Sequence, residues 1–401
     1  MGLELGARLS VVQPSATVAI STRAKELKAQ GVDVLSFSVG EPDFDTPAHI
    51  REAAKDAIDH GATRYTAARG TLALRKAICD ASLRRRGVAH SPAEVVVSCG
   101  AKHTLFNLSM ALFDPGDEVI IPAPYWVSYP AQVQIAGAKP VILDADAPQN
   151  FLITPAQLKA ALSPKTKAVV LCSPSNPTGA AYDRDGLGAL LEVLRDAECY
   201  VIVDEIYGEL VYGKDVPSLL SLAPELKERL VIVDGVSKTY AMTGWRIGWM
   251  LANEKLCAAC NKLQSQSTTN PAAVSQAATI AALTAPQESV DTMREAFEAR
   301  RNYLVGALNG LEGVTCTMPD GAFYAFPDVS GCLGKKAGDR VVGTDLELCA
   351  YLLDEARCAF VPGSAFGAPG HVRFSYAASM EQLEEGIRRV ALALGALSKL
   401  G

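Results

Sequence analysis

Between residues 94 and 233 the chain repeats one pattern: a short, nearly continuous apolar run rich in Val and Ile, then a longer stretch with helical spacing. The runs are Glu94–Cys99, Glu118–Ile121, Lys139–Leu143, Lys167–Cys172, Tyr200–Asp204 and Leu230–Val233. A strand with one face in water alternates apolar and polar residues. A strand covered on both faces does not, so these runs predict a buried sheet. The intervening helices act as crossovers, and right-handed crossovers leave neighbouring strands parallel. The fold class is therefore α/β with an open, mostly parallel sheet. Ligands of such sheets collect at the carboxyl ends of the strands, and Gly100, Ser173, Asp204 and Ser237 all fall there.

The C-terminal hundred residues read differently. A long charged helix is expected from Gln287 to about Leu311, then a strand at Gly321–Phe326, further helices, a strand at His371–Ser375 and a last helix. This α+β piece is expected to pack with the first forty-odd residues, and Gly331–Gly338 reads as a surface loop. A chain of 401 residues, 49% of them apolar, exceeds a single compact domain, so two are expected. The net charge of −6 has both signs interspersed, without the basic stripe that nucleic acid requires. Ten cysteines are scattered, several beside apolar runs (Cys99, Cys172, Cys199), as in a reducing compartment. Cys257 and Cys260 form an isolated CxxC pair without the further ligands zinc needs, and read as two thiols on one helix face. No apolar run reaches bilayer length, and the first six residues lack the features of a secretory signal. A soluble intracellular protein is expected, cytoplasmic, or in the plastid stroma if a transit peptide has been removed.

Candidate chemistry lies at the strand ends. Lys238 sits within Gly235-Val236-Ser237-Lys238-Thr239-Tyr240-Ala241-Met242-Thr243-Gly244-Trp245-Arg246-Ile247-Gly248, and Asp204 closes the run Val201-Ile202-Val203. A lysine able to form a Schiff base, with a carboxylate able to keep a pyridine nitrogen protonated, is what pyridoxal phosphate (PLP) chemistry requires. Each has a plainer reading, as a solvated loop lysine and as a helix-capping Asp. The small residues around Lys238 favour partial burial, which helps an amine shed its proton. A carboxylate ~4 Å from a pyridinium at an effective dielectric of 20 gains about 4 kcal/mol, roughly three pKa units. Val95–Thr104 reads as a strand turning into a helix whose free amides can hold a phosphate. The turn Ser173-Pro174-Ser175-Asn176-Pro177-Thr178-Gly179 presents Asn176 at the crevice. Trp126 is either core or a platform for a planar ring. Arg373, inside an otherwise apolar strand, wants an anion, and its fork matches a carboxylate. The five histidines form neither a metal spacing nor a nucleophile triad, and no metal is expected. His103 reads as a helix-surface residue or a neighbour of the phosphate turn.

In order along the chain, Gly40-Glu41-Pro42-Asp43-Phe44, Arg64-Tyr65, Tyr125-Trp126, the Ser173–Gly179 turn, Asp204-Glu205-Ile206-Tyr207, the Gly235–Gly248 segment and Arg373 are present. This series resembles the class I, fold-type I aminotransferases over essentially the whole length. The resemblance implies a large, mostly parallel seven-stranded PLP-binding domain at 48–294 and a smaller α+β domain from 16–47 and 295–401. An N-terminal arm would occupy 1–15. It further implies that Lys238 holds PLP covalently and then, as a free amine, shuttles the proton between substrate Cα and cofactor C4′. Asp204 would pair with the pyridinium, Asn176 and Tyr207 with the phenolic oxygen, and Trp126 would stack on the ring. Gly100, Ala101 and Arg246 would hold the phosphate, with Lys102 and Ser237 in the same cofactor set. Tyr65 would reach in from a second subunit, making the active unit a homodimer. Arg373, Asn176 and the Gly40 backbone would clamp the substrate α-carboxylate, against Trp126.

Animal and enteric aspartate enzymes read the distal carboxylate with an arginine shortly before the pair matching Asn270-Pro271; the matching position here is Ser265. The chain instead resembles the branch of Thermus-like bacteria and plant plastids. That branch uses a lysine matching Lys102 with a threonine matching Thr17, here beside Ser15. The segment Pro122–Pro130 looks plant-like. Expected substrates are aspartate and 2-oxoglutarate, giving oxaloacetate and glutamate, with prephenate a second acceptor giving arogenate. Alternatives on the same fold are an aromatic, alanine-type or branched-chain aminotransferase, or a PLP lyase. A PLP-sensing regulator would need a DNA-binding segment, and a nicotinamide dehydrogenase a glycine fingerprint that is absent.

Overall fold

The computed structural model describes residues 6–12 and 16–399. Seven strands form one sheet: β1 (Val95–Ser98), β2 (Glu118–Ala123), β3 (Lys139–Asp144), β4 (Thr166–Cys172), β5 (Tyr200–Asp204), β6 (Leu230–Gly235) and β7 (Gly248–Leu251). Their order across the sheet is β1-β7-β6-β5-β4-β2-β3. β7 runs antiparallel to both neighbours, and every other pairing is parallel. All six runs singled out in the sequence are strands. β7 (Gly-Trp-Met-Leu) was not among them, because it has none of the β-branched residues that mark the other runs.

Alternate residues of each strand serve opposite faces. Val95, Val97, Val169, Leu171, Val201, Val203 and Ile232 belong to one apolar cluster. Val96, Ala168, Val170, Ile202, Val231 and Val233 belong to another. Both faces are covered, which is why the runs read as continuously hydrophobic. The helices that place the site are α1 (Leu72–Arg86), α2 (Ala101–Leu112), α3 (Ser128–Ile135) and α4 (Glu254–Ser265), with the long α5 (Glu288–Asn309) and the final α6 (Met380–Gly395) beyond. Cys257 and Cys260 lie buried in α4, where burial pushes both thiols up to about 12 and leaves them inert as nucleophiles.

A further core gathers Phe37, Leu304, Phe323, Leu348, Phe374 and Tyr376. Val372–Ser375 is the middle strand of a small antiparallel sheet, between Val361–Pro362 and Tyr324–Ala325. Leu35–Ser36 pairs in parallel with Cys358–Ala359, so the N-terminal segment joins this region. Two expectations need correction. The strand expected over Gly321–Phe326 is only Tyr324–Ala325, because the backbone bends at Ala322 with φ of 59°. The stretch Gly331–Gly338 is not simply a loop. Lys335–Ala337 pairs with Arg340–Val342 across Gly338-Asp339, and Gly338 supplies the positive φ of a two-residue hairpin.

α1 is tied to the sheet by buried charge. Arg86 donates from Nε to Glu205 Oε2 at 2.9 Å and from Nη2 to Asp234 Oδ2 at 2.6 Å. Arg85 donates to the same Asp234 oxygen at 2.9 Å. Replacing Arg86 leaves carboxylates in the interior with too few partners. Arg86→Met is expected to destabilise the protein by about 3 kcal/mol in urea unfolding. A loss below ~0.5 kcal/mol would show that the network is solvated.

Candidate active site

A cavity of about 260 Å³ opens at the carboxyl ends of β4, β5 and β6. Its walls include Gly40, Ala101, Lys102, Trp126, Asn176, Asp204, Tyr207, Ser237, Lys238, Arg246 and Arg373. Residues separated by more than three hundred positions thus converge, as the parallel sheet requires. Gly100 adjoins this group through Arg246. Tyr65 does not line the cavity of its own chain and stands 89% exposed. Ser15 and the side chain of Thr17 lie outside the described residues.

Asp204 closes β5 and is buried. Its Oδ2 accepts from Tyr129 Oη at 2.8 Å and its Oδ1 from the Ile206 amide at 3.2 Å. Burial pushes its carboxyl up to about 6; those two donors oppose the rise, and Asp234 and Glu205 add to it. Among the described residues no cation forms an ion pair with it. Such an acid is built for a positive partner that the polypeptide does not supply. Lys238 follows β6, and its Nζ donates to the Gly40 carbonyl at 2.5 Å. Burial lowers its pKa to about 8, with Arg373 and Arg246 assisting and Glu41 and Asp204 opposing. Roughly a tenth of that amine is neutral at pH 7, against about one part in 3,000 for an ordinary lysine.

The turn from β1 into α2 faces the same cavity. Gly100 has φ of 90°, and a Cβ there would collide with the Arg246 guanidinium. Arg246 is held by bonds from Nη1 to the Thr243 carbonyl at 2.8 Å and from Nη2 to the Cys99 carbonyl at 3.3 Å. Gly248 lets the start of β7 touch the Ala101 backbone, where any side chain would clash. Gln264 of α4, fully buried, fixes the turn from behind. Its amide donates to the Ala68 and Val97 carbonyls, and its oxygen accepts from Ser98 and Asn107. Free amides at the α2 N-terminus beside a guanidinium suit a phosphate. His103 accepts the Cys99 amide at 3.2 Å, which makes it a neighbour of this turn. Lys102 Nζ lies 4.9 Å from the Trp126 ring centre, and burial and Arg246 lower its pKa.

Arg373 is 2% exposed. Nη1 donates to Asn176 Oδ1 at 2.9 Å and Nη2 to the Ser38 carbonyl at 2.7 Å, while Nε has no partner. Its guanidinium lies 4.6 Å from the Tyr324 ring centre, and Tyr324 shares a 2.9 Å bond with Tyr207. No carboxylate pairs with Arg373 among the described residues, and its fork is free to take an anion. Sequence reasoning missed Tyr129 and Tyr324. Tyr129 stands one helical turn beyond Trp126, which it meets edge-on at 5.4 Å. Tyr324 is paired in register with Ser375, two residues from Arg373.

The sequence profile of "Aminotransferase class I and II" matches residues 32–390. The chain belongs to this family. It is 48% identical to an aspartate aminotransferase of Geobacillus stearothermophilus, covering 97% of this chain and 98% of the relative. It is 47% identical to an aspartate/prephenate aminotransferase of Cereibacter sphaeroides, with the same coverage. The crystal structure of the Rhizobium meliloti aspartate aminotransferase superposes with a TM-score of 0.95 at 45% identity, over 99% of this chain and 100% of that one.

Proposed function

We propose that this chain is a PLP-dependent aminotransferase for dicarboxylic amino and oxo acids, interconverting aspartate and 2-oxoglutarate with oxaloacetate and glutamate and accepting prephenate as a second oxo acid. One observation carries the reading: a single cavity holds a buried acid without a cation, an amine of lowered pKa and a buried guanidinium without an anion. PLP fits that set: Asp204 would hold its ring nitrogen, the amides of Gly100 and Ala101 with Arg246 and Ser237 would hold its phosphate, and Lys238 would hold its aldehyde carbon. When bound, PLP supplies the electron-withdrawing ring that stabilises negative charge at the substrate Cα.

The chain's own groups do the rest. Lys238 Nζ would hold the cofactor and, as a free amine, would move the Cα proton, which an amine with a pKa near neutrality does efficiently. Asp204 keeps the ring nitrogen protonated. Trp126 covers the ring face, and Asn176 and Tyr207 bond the phenolic oxygen. Arg373, with Asn176 and the Gly40 backbone, binds the α-carboxylate. Lys102 binds the distal one, a role in which the resemblance also places Thr17 and Ser15. Tyr65, exposed on its own chain, completes the neighbouring site of a homodimer. The names of the two relatives above support the dicarboxylic assignment.

The test is a profile of amino donors and oxo acceptors that includes prephenate, oxaloacetate, phenylalanine and alanine. Faster turnover of phenylalanine or alanine than of aspartate would overturn the assignment. Lys102→Ala should weaken dicarboxylic substrates by one charge-assisted contact, ~1.5–3 kcal/mol in kcat/KM, and spare monocarboxylic ones. Equal losses for both kinds would remove Lys102 from the distal carboxylate.

A further inference from the structure

Asp204 holds a hydroxyl donor that the roles above leave unused. We propose that Tyr129 is a positioning residue that clamps Asp204 Oδ2 so that the carboxylate stays ionised and turned toward the ring nitrogen, an inference that rests on the reading of the cavity as a PLP site. Tyr129 is the second residue of α3 and is buried on the cavity wall. Its hydroxyl meets Asp204 Oδ2 at 2.8 Å while the Ile206 amide meets Oδ1 at 3.2 Å. Each carboxylate oxygen is therefore fixed by one donor and keeps lone-pair capacity for a third. The Tyr129 ring is itself fixed edge-on to Trp126, at 82° between planes.

The other groups facing Asp204 cannot take this part. Cys172, at the end of β4, donates its thiol proton to the Pro174 carbonyl at 3.4 Å. Glu205 and Asp234 carry the same charge as Asp204 and are engaged by Arg86. Lys238 gives its hydrogen bond to Gly40. Burial holds the Tyr129 phenol far above its ordinary range, so it remains a donor at any pH the fold tolerates. A donor to an ionised acceptor favours the ionised form. Removing the phenol oxygen therefore raises the Asp204 pKa, and the acid limb of activity moves upward.

The experiment compares wild type, Tyr129→Phe, Asp204→Asn and the double variant. Two quantities are read: the PLP dissociation constant of the apoprotein at pH 7, and the pH profile of kcat/KM for aspartate. Tyr129→Phe should weaken PLP binding about tenfold and raise the acid limb by about one pH unit. In the Asp204→Asn background the same tyrosine change should alter the dissociation constant less than about twofold, since its target charge is gone. Equal weakening in both backgrounds, with an unmoved acid limb, would reduce Tyr129 to packing and overturn the proposal. If Asp204→Asn alone changes neither PLP affinity nor turnover, the reading of the cavity falls and the proposal with it. A full Asp204→Asn effect beside a silent Tyr129→Phe overturns the tyrosine role alone.

Discussion

Lys238→Ala should lose at least about 10,000-fold in turnover, the scale on which removal of a covalent and proton-transferring group is felt. On the proposed reading the Nζ atom serves two purposes in sequence, holding the cofactor and then moving the Cα proton, and no second amine approaches the Gly40 carbonyl among the described residues. The phosphate turn is untouched by the change, so PLP binding persists without covalent attachment. Borohydride treatment followed by peptide mapping should label position 238 in wild type and nothing in the variant. Turnover above a hundredth of wild type would refute the assignment. A pH signature accompanies it. Because burial sets the amine near 8, the rate at which wild-type apoprotein captures PLP should rise with pH and level off above about 8. A midpoint above 10 would mean that the lysine is solvated.

Arg373→Leu should lower kcat/KM by about 30- to 4,000-fold, the range for removing one side of a desolvated charge pair (~2–5 kcal/mol). The loss should be similar for aspartate, glutamate and monocarboxylic amino acids, since every substrate carries an α-carboxylate. That uniformity separates it from the selective effect expected at Lys102. Arg373→Lys keeps the charge and loses the planar fork, so it should fall between. Stability should respond in the opposite sense to Arg86→Met. Arg86 has acid partners in the folded chain, whereas Arg373 has a guanidinium nitrogen with none. Removing a buried charge that lacks its counterion relieves a cost. Arg373→Leu without substrate should therefore melt no lower than wild type, and a fall of several degrees would show that its bonds to Asn176 and Ser38 outweigh the burial of its charge.

Much of this was readable in the sequence because both the sheet and the chemistry are local signals. Runs such as Tyr200–Asp204 are hydrophobic on consecutive residues, and an acid ending such a run stands out. Lys238 and Arg373 are conspicuous for the same reason, each a charge among small or apolar neighbours. What escaped depends on contacts distant in sequence. β7 is four residues long and is a strand only because β1 and β6 flank it. Tyr129 and Tyr324 look like ordinary aromatics until the fold brings them to Asp204 and Arg373. Arg86 sits in a run of three arginines whose helical spacing gives no hint that the third is enclosed by Glu205 and Asp234. The hairpin at Lys335–Val342 was hidden because its residues resemble those of a surface loop.

The salt-bridge cluster at the end of α1 ties thermal behaviour to activity. Glu205 adjoins Asp204 and Asp234 precedes Lys238 by four residues, so one guanidinium fastens the two strand tips from which the acid and the amine project. Their mutual alignment is thus inherited from a helix that does not line the cavity. On warming, detachment of that helix and inactivation should coincide, leaving no loosened yet working form.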